Sequence, residues 1–337
     1  MAGIKLHVAV EKLRLASPFR ISGFVFEAQD AAVVTLDDGK YRGRGEASGV
    51  YYLGDNAPEM VAAIEANRKA IESGIDRAAL QKLMLPGGGR NAVDCALWDL
   101  EAQRTGKDVW QLAGLQSVKP LVTTFTMGAD DPSVMAEGAR KFAKARALKM
   151  KLTGDLDLDI ARVKAVRTAR PNTWLGVDAN QGYDIQKLDG LMSTLVDCDV
   201  SLLEQPIRRG RESDLDGFTS PIPIAADESA LSLADVPGLV GRFNVLNIKL
   251  DKCGGLTEAL AMAHEAKRLG LGVMVGNMVG TSLAMAPAFV VGQLCDIVDL
   301  DGPIFLKEDR KPSLTYEDGT VWCGRDVWGS PPHASAA

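Results

Sequence analysis

ALKMKL at 147–152, WLGVDAN at 174–180, LLEQP at 202–206, IAADES at 224–229 and VLNIKL at 245–250 are five short apolar runs, each carrying charge at its end. The charges are Lys149 and Lys151, then Asp178, Glu204, Asp227 and Lys249. From Lys151 onward, consecutive members stand 27, 26, 23 and 22 residues apart. That is about the length of one strand-plus-helix unit. A (β/α) barrel sets such residues at successive strand ends around a single cavity. The spacing therefore predicts a barrel whose mouth holds three carboxylates flanked by lysines.

Working outward, LVTTFT (121–126), LGVMVG (271–276) and DIVDL (296–300) complete a set of eight strand candidates. Helix-like segments such as PSVMAEGARKFAKAR and LTEALAMAHEAKRLG lie between most of them, and 282–293 reads as a buried helix. Upstream, 4–14 and 31–37 read as strands, 37–47 as a hairpin connection with its return strand, and the segments from Ala57 and over 91–106 as helices. The expected class is α/β: a barrel over 116–310 and an α+β unit over 1–115. SLTYEDGTVWCG (313–324) resembles a hairpin, and residues 311–337 are expected to return to the N-terminal unit.

The chain has 337 residues, 46% hydrophobic and 24% charged, which suits a large globular core. A net charge of −6 argues against nucleic acid or an anionic membrane held by bulk charge. Cys95, Cys198, Cys253, Cys295 and Cys323 are scattered, with no zinc or redox spacing, and read as reduced thiols. The N-terminus alternates like a strand rather than a signal peptide, and no apolar run approaches the roughly 18 residues of a membrane span. A cytoplasmic protein acting on a small molecule is expected, and a homo-oligomer is compatible with a barrel of this size.

Strand period places Lys149 and Lys151 on one face. The bland alternative is a surface strand with two solvated lysines, and each acid taken singly is compatible with a helix cap. Together, Asp178, Glu204 and Asp227 offer three oxygen ligands, with room left for substrate and water, which suits Mg²⁺. His7, His264 and His333 stand at no strand end, which argues against zinc. A carboxylate on such a cation has an acidified α-hydrogen, because the enolate formed by its removal is stabilised. Lys151 and Lys249 fall on strands two and six of eight, opposite each other, which predicts 1,1-proton transfer.

With these residues the chain resembles the enolase superfamily in its muconate-lactonising-enzyme-like subgroup. The carrying segments are KMK (149–151), VDANQGY (177–183), LLEQP (202–206), ADES (226–229), NIKLDKCGG (247–255) and the helix NAVDCALWDLEAQRTGK (91–107). The resemblance implies a modified (β/α)7β TIM-like barrel with an α+β capping domain and an essential Mg²⁺. It implies Asp178, Glu204 and Asp227 as metal ligands and Lys151 and Lys249 as the acid/base pair. Lys149 would support Lys151 and the substrate carboxylate. Asp299 and Asp301 in DIVDLDGP share one face and offer an anionic pocket; in this subgroup Asp-x-Asp resembles the mark of dipeptide epimerases, binding the substrate ammonium. NIKLDKCGGLTEALA is similar to the L-Ala-D/L-Glu epimerases, and Thr126 matches a first-strand threonine that contacts substrate there.

One stretch departs. The loop 19–30, FRISGFVFEAQD, carries Phe24 and Phe26 where those epimerases carry an arginine, and Arg20 stands a few positions early. An apolar lid implies an apolar side chain on the epimerised residue. Tyr51 and Tyr52 would extend it, unless all these aromatics merely pack the domains together. Two alternatives stay open. One is a cycloisomerase, o-succinylbenzoate synthase or N-acylamino-acid racemase on the same scaffold, whose substrates lack the free amine that Asp299 and Asp301 would hold. The other is a non-catalytic metal- or ligand-binding protein.

Overall fold

The structure, a computed structural model, describes residues 3–21 and 24–331, with positions 20, 21 and 24 as backbone alone. Ser22, Gly23, His333 and the side chains of Arg20 and Phe24 therefore lie outside the described residues.

The N-terminal layer is an antiparallel sheet of β1 (Lys5–Ile21), β2 (Phe24–Asp37) and β3 (Arg42–Ala47). Of the segment 19–30, expected as a loop, the described residues 19–21 and 24–30 instead lie in the strands of the β1–β2 ribbon. Its register shifts between Arg14 and Phe19, where Leu15 leaves β2 to bridge Leu306. Helices α1 (Ala57–Ala66), α2 (Arg68–Glu72), α3 (Arg77–Leu83) and α4 (Gly88–Thr105) cover one face of the sheet. The helical pattern from Ala57 breaks at Asn67, which ends α1 and begins α2. Helix α3, unassigned from the sequence, starts where the Asp76 carboxylate accepts the Ala79 N–H. The alternating glycines of β3 let α4 pack onto it. A Cβ at Gly43 would stand 2.0 Å from the Ala96 carbonyl oxygen, and one at Gly45 2.1 Å from that of Ala92.

After α5 (Val109–Leu112) and β4 (Leu121–Val122) comes the barrel: β5 (Thr124–Met127), α6 (Pro132–Lys141), β6 (Ala147–Lys151), α7 (Leu156–Ala169), β7 (Trp174–Asp178), α8 (Ile185–Asp197), β8 (Leu202–Glu204), β9 (Ile224–Ala226), β10 (Val245–Ile248), α9 (Leu250–Cys253), α10 (Leu256–Arg268), β11 (Gly272–Val275), α11 (Ser282–Gly292) and β12 (Ile297–Val298). β5 to β12 form one eight-stranded sheet whose order follows the chain, with parallel pairing at every step. This is the expected (β/α)7β barrel under an α+β cap. Its strands are short and buried on both faces, which is why they read as continuous apolar runs.

The expected strand 121–126 is two strands divided at Thr123. β4 joins the hairpin of β13 (Thr315–Glu317) and β14 (Thr320–Trp322), so that hairpin extends a barrel-side sheet. The chain beyond it touches the cap: Trp328 Nε1 donates to the Arg44 carbonyl at 2.8 Å and Gly329 N to Asp99 Oδ1 at 3.0 Å. The first and last barrel strands meet through side chains, as Leu300 N donates to Thr123 Oγ1 at 2.9 Å and Thr124 Oγ1 to Asp299.

Cap and barrel are joined by buried polar bonds from α4. Asp94 accepts from Thr257 N at 2.9 Å and Thr257 Oγ1 at 2.6 Å. Arg90 donates to the carbonyls of Gly254 at 3.1 Å and Cys253 at 2.5 Å and pairs with Glu258. Among the described residues no helix is long and apolar enough to cross a membrane.

Candidate active site

The charged residues singled out in the sequence meet at the C-terminal mouth of the barrel. In the sheet, Lys151 lies opposite Asp178 and Asp178 opposite Glu204. Glu204 pairs with Ala225, two residues before Asp227. The period of two therefore brings all four to one row. Candidate ligand oxygens of Asp178, Glu204 and Asp227 lie within 4.8 Å of one another. All three acids are buried, as are Lys149, Lys151 and Lys249. Buried position excludes the alternative of a solvated strand for the paired lysines.

The lysines engage opposite ends of that row. Lys151 Nζ donates to Asp178 Oδ2 at 2.5 Å, and Lys249 Nζ to Asp227 Oδ2 at 2.7 Å. Their strand ends stand four places apart in an eight-stranded barrel, halfway round its mouth. Burial alone would lower the Lys249 ammonium, but Asp227 and Glu204 outweigh it and hold it well above the ordinary lysine value. Burial would raise Asp227, yet Lys249 and Lys252 together hold it well below the usual carboxylate range. Glu204 goes the other way: burial and the adjacent Asp178 charge push it up against the pull of Lys149.

Glu204 Oε2 is buried and makes no hydrogen bond, with Lys149 Nζ at 3.4 Å. An unbonded carboxylate oxygen within reach of two further acids fits a hard divalent cation that takes oxygen ligands.

Sequence reasoning missed the groups that hold this row in place. Asn247 Nδ2 donates to Glu204 Oε1 at 2.6 Å, while Lys252 Nζ donates to Asp227 Oδ1 at 2.6 Å and to the Asp227 carbonyl at 2.5 Å. Lys252 stands three residues after Lys249, a helical spacing visible in NIKLDKCGG. Glu228, directly after Asp227, is also buried, and its carboxyl is pushed up to about 8 by burial and by the charges of Asp227 and Asp178.

Lys149 was expected to support Lys151 and a substrate carboxylate. Its Nζ instead donates to Asp299. Burial would lower this ammonium, and Asp299, Glu204 and Asp178 raise it. Lys149 thus takes up one side of the Asp299–Asp301 pair. Asp299 also accepts from Thr124 and, at 3.4 Å, from Thr126 Oγ1, while Asp301 Oδ2 accepts the Thr126 N–H at 2.7 Å. Burial, then the Asp299 charge, pushes Asp301 up to about 6. Asn277 Nδ2 donates to its Oδ1 at 3.4 Å.

A cavity over the row is walled by Lys151, Asn180, Asp227, Glu228, Lys249, Asn277, Met278 and Val279 from the barrel. Leu15, Phe19, Phe26, Gln29, Tyr51 and Tyr52 of the cap close it. Phe26 and Tyr51 meet edge-on with ring centroids 5.2 Å apart, and Phe19 packs on Phe305 at 4.8 Å. A wider open cleft beside it, with Gln181, Arg209 and Arg242, shares Tyr52 and Glu228 but holds neither the acid row nor the paired lysines. The chemistry belongs to the narrower cavity.

Comparison with known proteins agrees in fold and extent. Residues 4–114 match the family model described as the mandelate racemase / muconate lactonizing enzyme N-terminal domain, and 134–325 match that described as enolase C-terminal domain-like. The chain is 36% identical over 307 residues to the L-Ala-D/L-Glu epimerase of Escherichia coli strain K12, covering 91% of this chain and 96% of that protein. An enolase family member from Agrobacterium tumefaciens with homology to dipeptide epimerases, solved with sodium and L-Ala-L-Glu, superimposes with a TM-score of 0.93 at 41% identity, over 97% of this chain and 100% of the other. The dipeptide epimerase of Enterococcus faecalis V583, solved with Mg and L-Leu-L-Tyr, gives a TM-score of 0.89 at 29% identity, over 96% and 97%.

Proposed function

This chain belongs to the mandelate racemase / muconate lactonizing enzyme family of the enolase superfamily, and from that premise we propose that it is a Mg²⁺-dependent dipeptide epimerase inverting the α-carbon of the C-terminal residue. The observation that carries this reading is the placement of two ammonium groups, Lys151 on Asp178 and Lys249 on Asp227, at opposite ends of one buried row of acids. Inversion at carbon needs a proton acceptor on one face and a donor on the other.

Asp178, Glu204 and Asp227 would hold the cation. Bound there, Mg²⁺ supplies the positive charge that binds the substrate carboxylate and acidifies the neighbouring hydrogen. Cation charge beside Asp227 and Glu204 would weaken the upward pull of those acids on the Lys249 ammonium. One lysine, neutral, accepts the α-proton; the other, charged, returns a proton to the opposite face. Asn247 and Lys252 keep Glu204 and Asp227 from turning away. Asp301, Asp299 and Thr126 bind the N-terminal ammonium, and Lys149 holds Asp299 ionised. A free amine across from the acid row favours dipeptides over N-acylated or cyclic substrates. In this reading residues 1–115 cap a barrel of residues 116–310, and the enzyme works in the cytoplasm, where its five free thiols stay reduced.

The cap side of the cavity supports an apolar C-terminal residue. Leu15, Phe19 and Phe26 offer no cation, and a carboxylate left unpaired against them costs several kcal/mol. A glutamate-ended substrate is the second reading, favoured by the names of the relatives; it needs a cation on the lid, and the Arg20 side chain lies outside the described residues.

Proton NMR in D₂O over a dipeptide library with Mg²⁺ tests both. L-Ala-L-Phe or L-Ala-L-Leu is expected to exchange its C-terminal α-hydrogen faster than L-Ala-L-Glu, and a chelator to stop all exchange. If no dipeptide exchanges with Mg²⁺ present, the reading is wrong. Asp301→Asn is expected to lower kcat/KM by roughly 30- to 1,000-fold, the loss of one buried charge pair worth about 2–4 kcal/mol. An effect under threefold removes Asp301 from the ammonium site.

A further inference from the structure

Tyr51 and Tyr52 line the cavity from the turn that follows β3, and a barrel carboxylate accepts two backbone amides of that turn. Ser48 N and Gly49 N both donate to Asp251 Oδ1, at 2.8 and 2.9 Å. Asp251 belongs to α9, two residues beyond Lys249, and is buried. Two successive amides on one oxygen form a small anion-binding concavity.

The same node reaches two other parts of the cavity wall. Ser48 Oγ donates to the Val279 carbonyl at 2.6 Å, and Gln29 Nε2 donates to the Ser48 carbonyl at 3.0 Å. Gly49 leaves little freedom to move. Its φ is +70°, and a Cβ there would come 2.1 Å from the Asp55 carbonyl oxygen. The short helix Tyr51–Leu53 starts at Val50 with no side-chain cap, and the amide pair on Asp251 ties the turn before it to the barrel beside the Ser48–Val279 bond. An acid is costly at this place. Burial pushes its carboxyl up to about 7 against the two amides, and Asp55 and Glu46 add to the rise. Of the other nearby groups, Cys95 of α4 senses its charge, and Arg90 is committed to the Cys253 and Gly254 carbonyls.

We propose that Asp251 is a positioning residue for substrate selection: it fixes the height of the Tyr51–Tyr52 wall above Lys249 and so sets the fit of a large apolar C-terminal side chain. The inference rests on the dipeptide epimerase reading. It acts through the turn and touches no reacting atom, so it should appear in KM rather than kcat.

The experiment compares wild type, Asp251→Ala and Asp251→Asn with L-Ala-L-Phe and L-Ala-L-Ala. The alanine variant is expected to raise KM for L-Ala-L-Phe about tenfold, with kcat within about twofold and L-Ala-L-Ala little changed. Asparagine keeps an Oδ1 acceptor for both amides and is expected to restore the wild-type value. Asp251→Leu, close in volume and without an acceptor, replaces alanine if that variant does not fold. Equal losses on both substrates, a fall confined to kcat, or an asparagine variant as impaired as alanine would overturn the proposal. Amide exchange across residues 46–53 separates it from the functional reading. If wild type turns over no dipeptide, that reading fails; loss of protection in the alanine or leucine variant but not in asparagine still supports the anchor, and unchanged protection removes it.

Discussion

Lys151→Ala and Lys249→Ala each lose net epimerisation, with a fall in kcat of roughly 10²- to 10⁴-fold, the usual worth of a positioned acid or base. The sharper result is stereochemical. Each variant keeps one lysine, and that lysine faces one side of the α-carbon. Each should therefore wash solvent deuterium into one stereoisomer of the dipeptide without inverting it, and the two variants should choose opposite stereoisomers. Proton NMR in D₂O with separate L,L and L,D substrates measures this directly. The placement behind it is specific: Lys151 lies on the second barrel strand against Asp178, and Lys249 follows the sixth against Asp227. Both acids remain in either variant, so Mg²⁺ binding followed by calorimetry should persist. If both variants exchange the same stereoisomer, the lysines share a face and epimerisation by this pair is excluded.

Glu204→Gln should change stability and metal binding in opposite directions. Glu204 is fully buried, and burial with the Asp178 charge raises its carboxyl above the ordinary value. An acid raised in the folded state favours folding most when protonated. Its contribution is intact below the unfolded value and is lost as pH rises through the folded one. At pH 8 the wild type bears this cost, whereas glutamine has no charge to bury and can still accept the Asn247 hydrogen bond. The metal-free variant is therefore expected to melt roughly 2–4 °C above wild type at pH 8, with the gap closing below about pH 4. Mg²⁺ should raise the wild-type Tm, as any ligand selective for the folded state does. In the variant that rise should vanish, together with activity. Equal Mg²⁺-induced shifts in the two proteins would remove Glu204 from the metal site.

Charge at the end of an apolar run is an anomaly that a single sequence displays, and for that reason the acid row, Lys149, Lys151 and Lys249 were legible. The eight-strand count was legible because parallel barrel strands, covered on both faces, leave continuous Val, Leu, Ile and Ala runs. Other features depend on which segments meet in space. Asp299 and Asp301 share a face by period, as expected, but barrel closure sets them beside Thr124 and Thr126 and lends Asp299 the ammonium of Lys149. No local pattern announces that meeting. Lys252 stands at no strand end and carries no such signal, yet its ammonium reaches Asp227. The strand residues 19–21 and 24–30 were expected as a loop because their pairing continues past the register shift after Arg14, where alternation in β1 is interrupted by Ala16, Ser17 and Pro18.

The bonds from α4 to the start of α10 carry a thermodynamic consequence. Arg90 is nearly fully enclosed and spends its guanidinium on barrel carbonyls, while Asp94 caps the Thr257 end of the barrel helix. Pulling the two layers apart would strand a cation and a carboxylate in an apolar seam, several kcal/mol uphill. Neither layer has a cheap route to melting alone, so calorimetry should register one endotherm, and hinge-like swinging of the whole cap is excluded as a route for substrate entry.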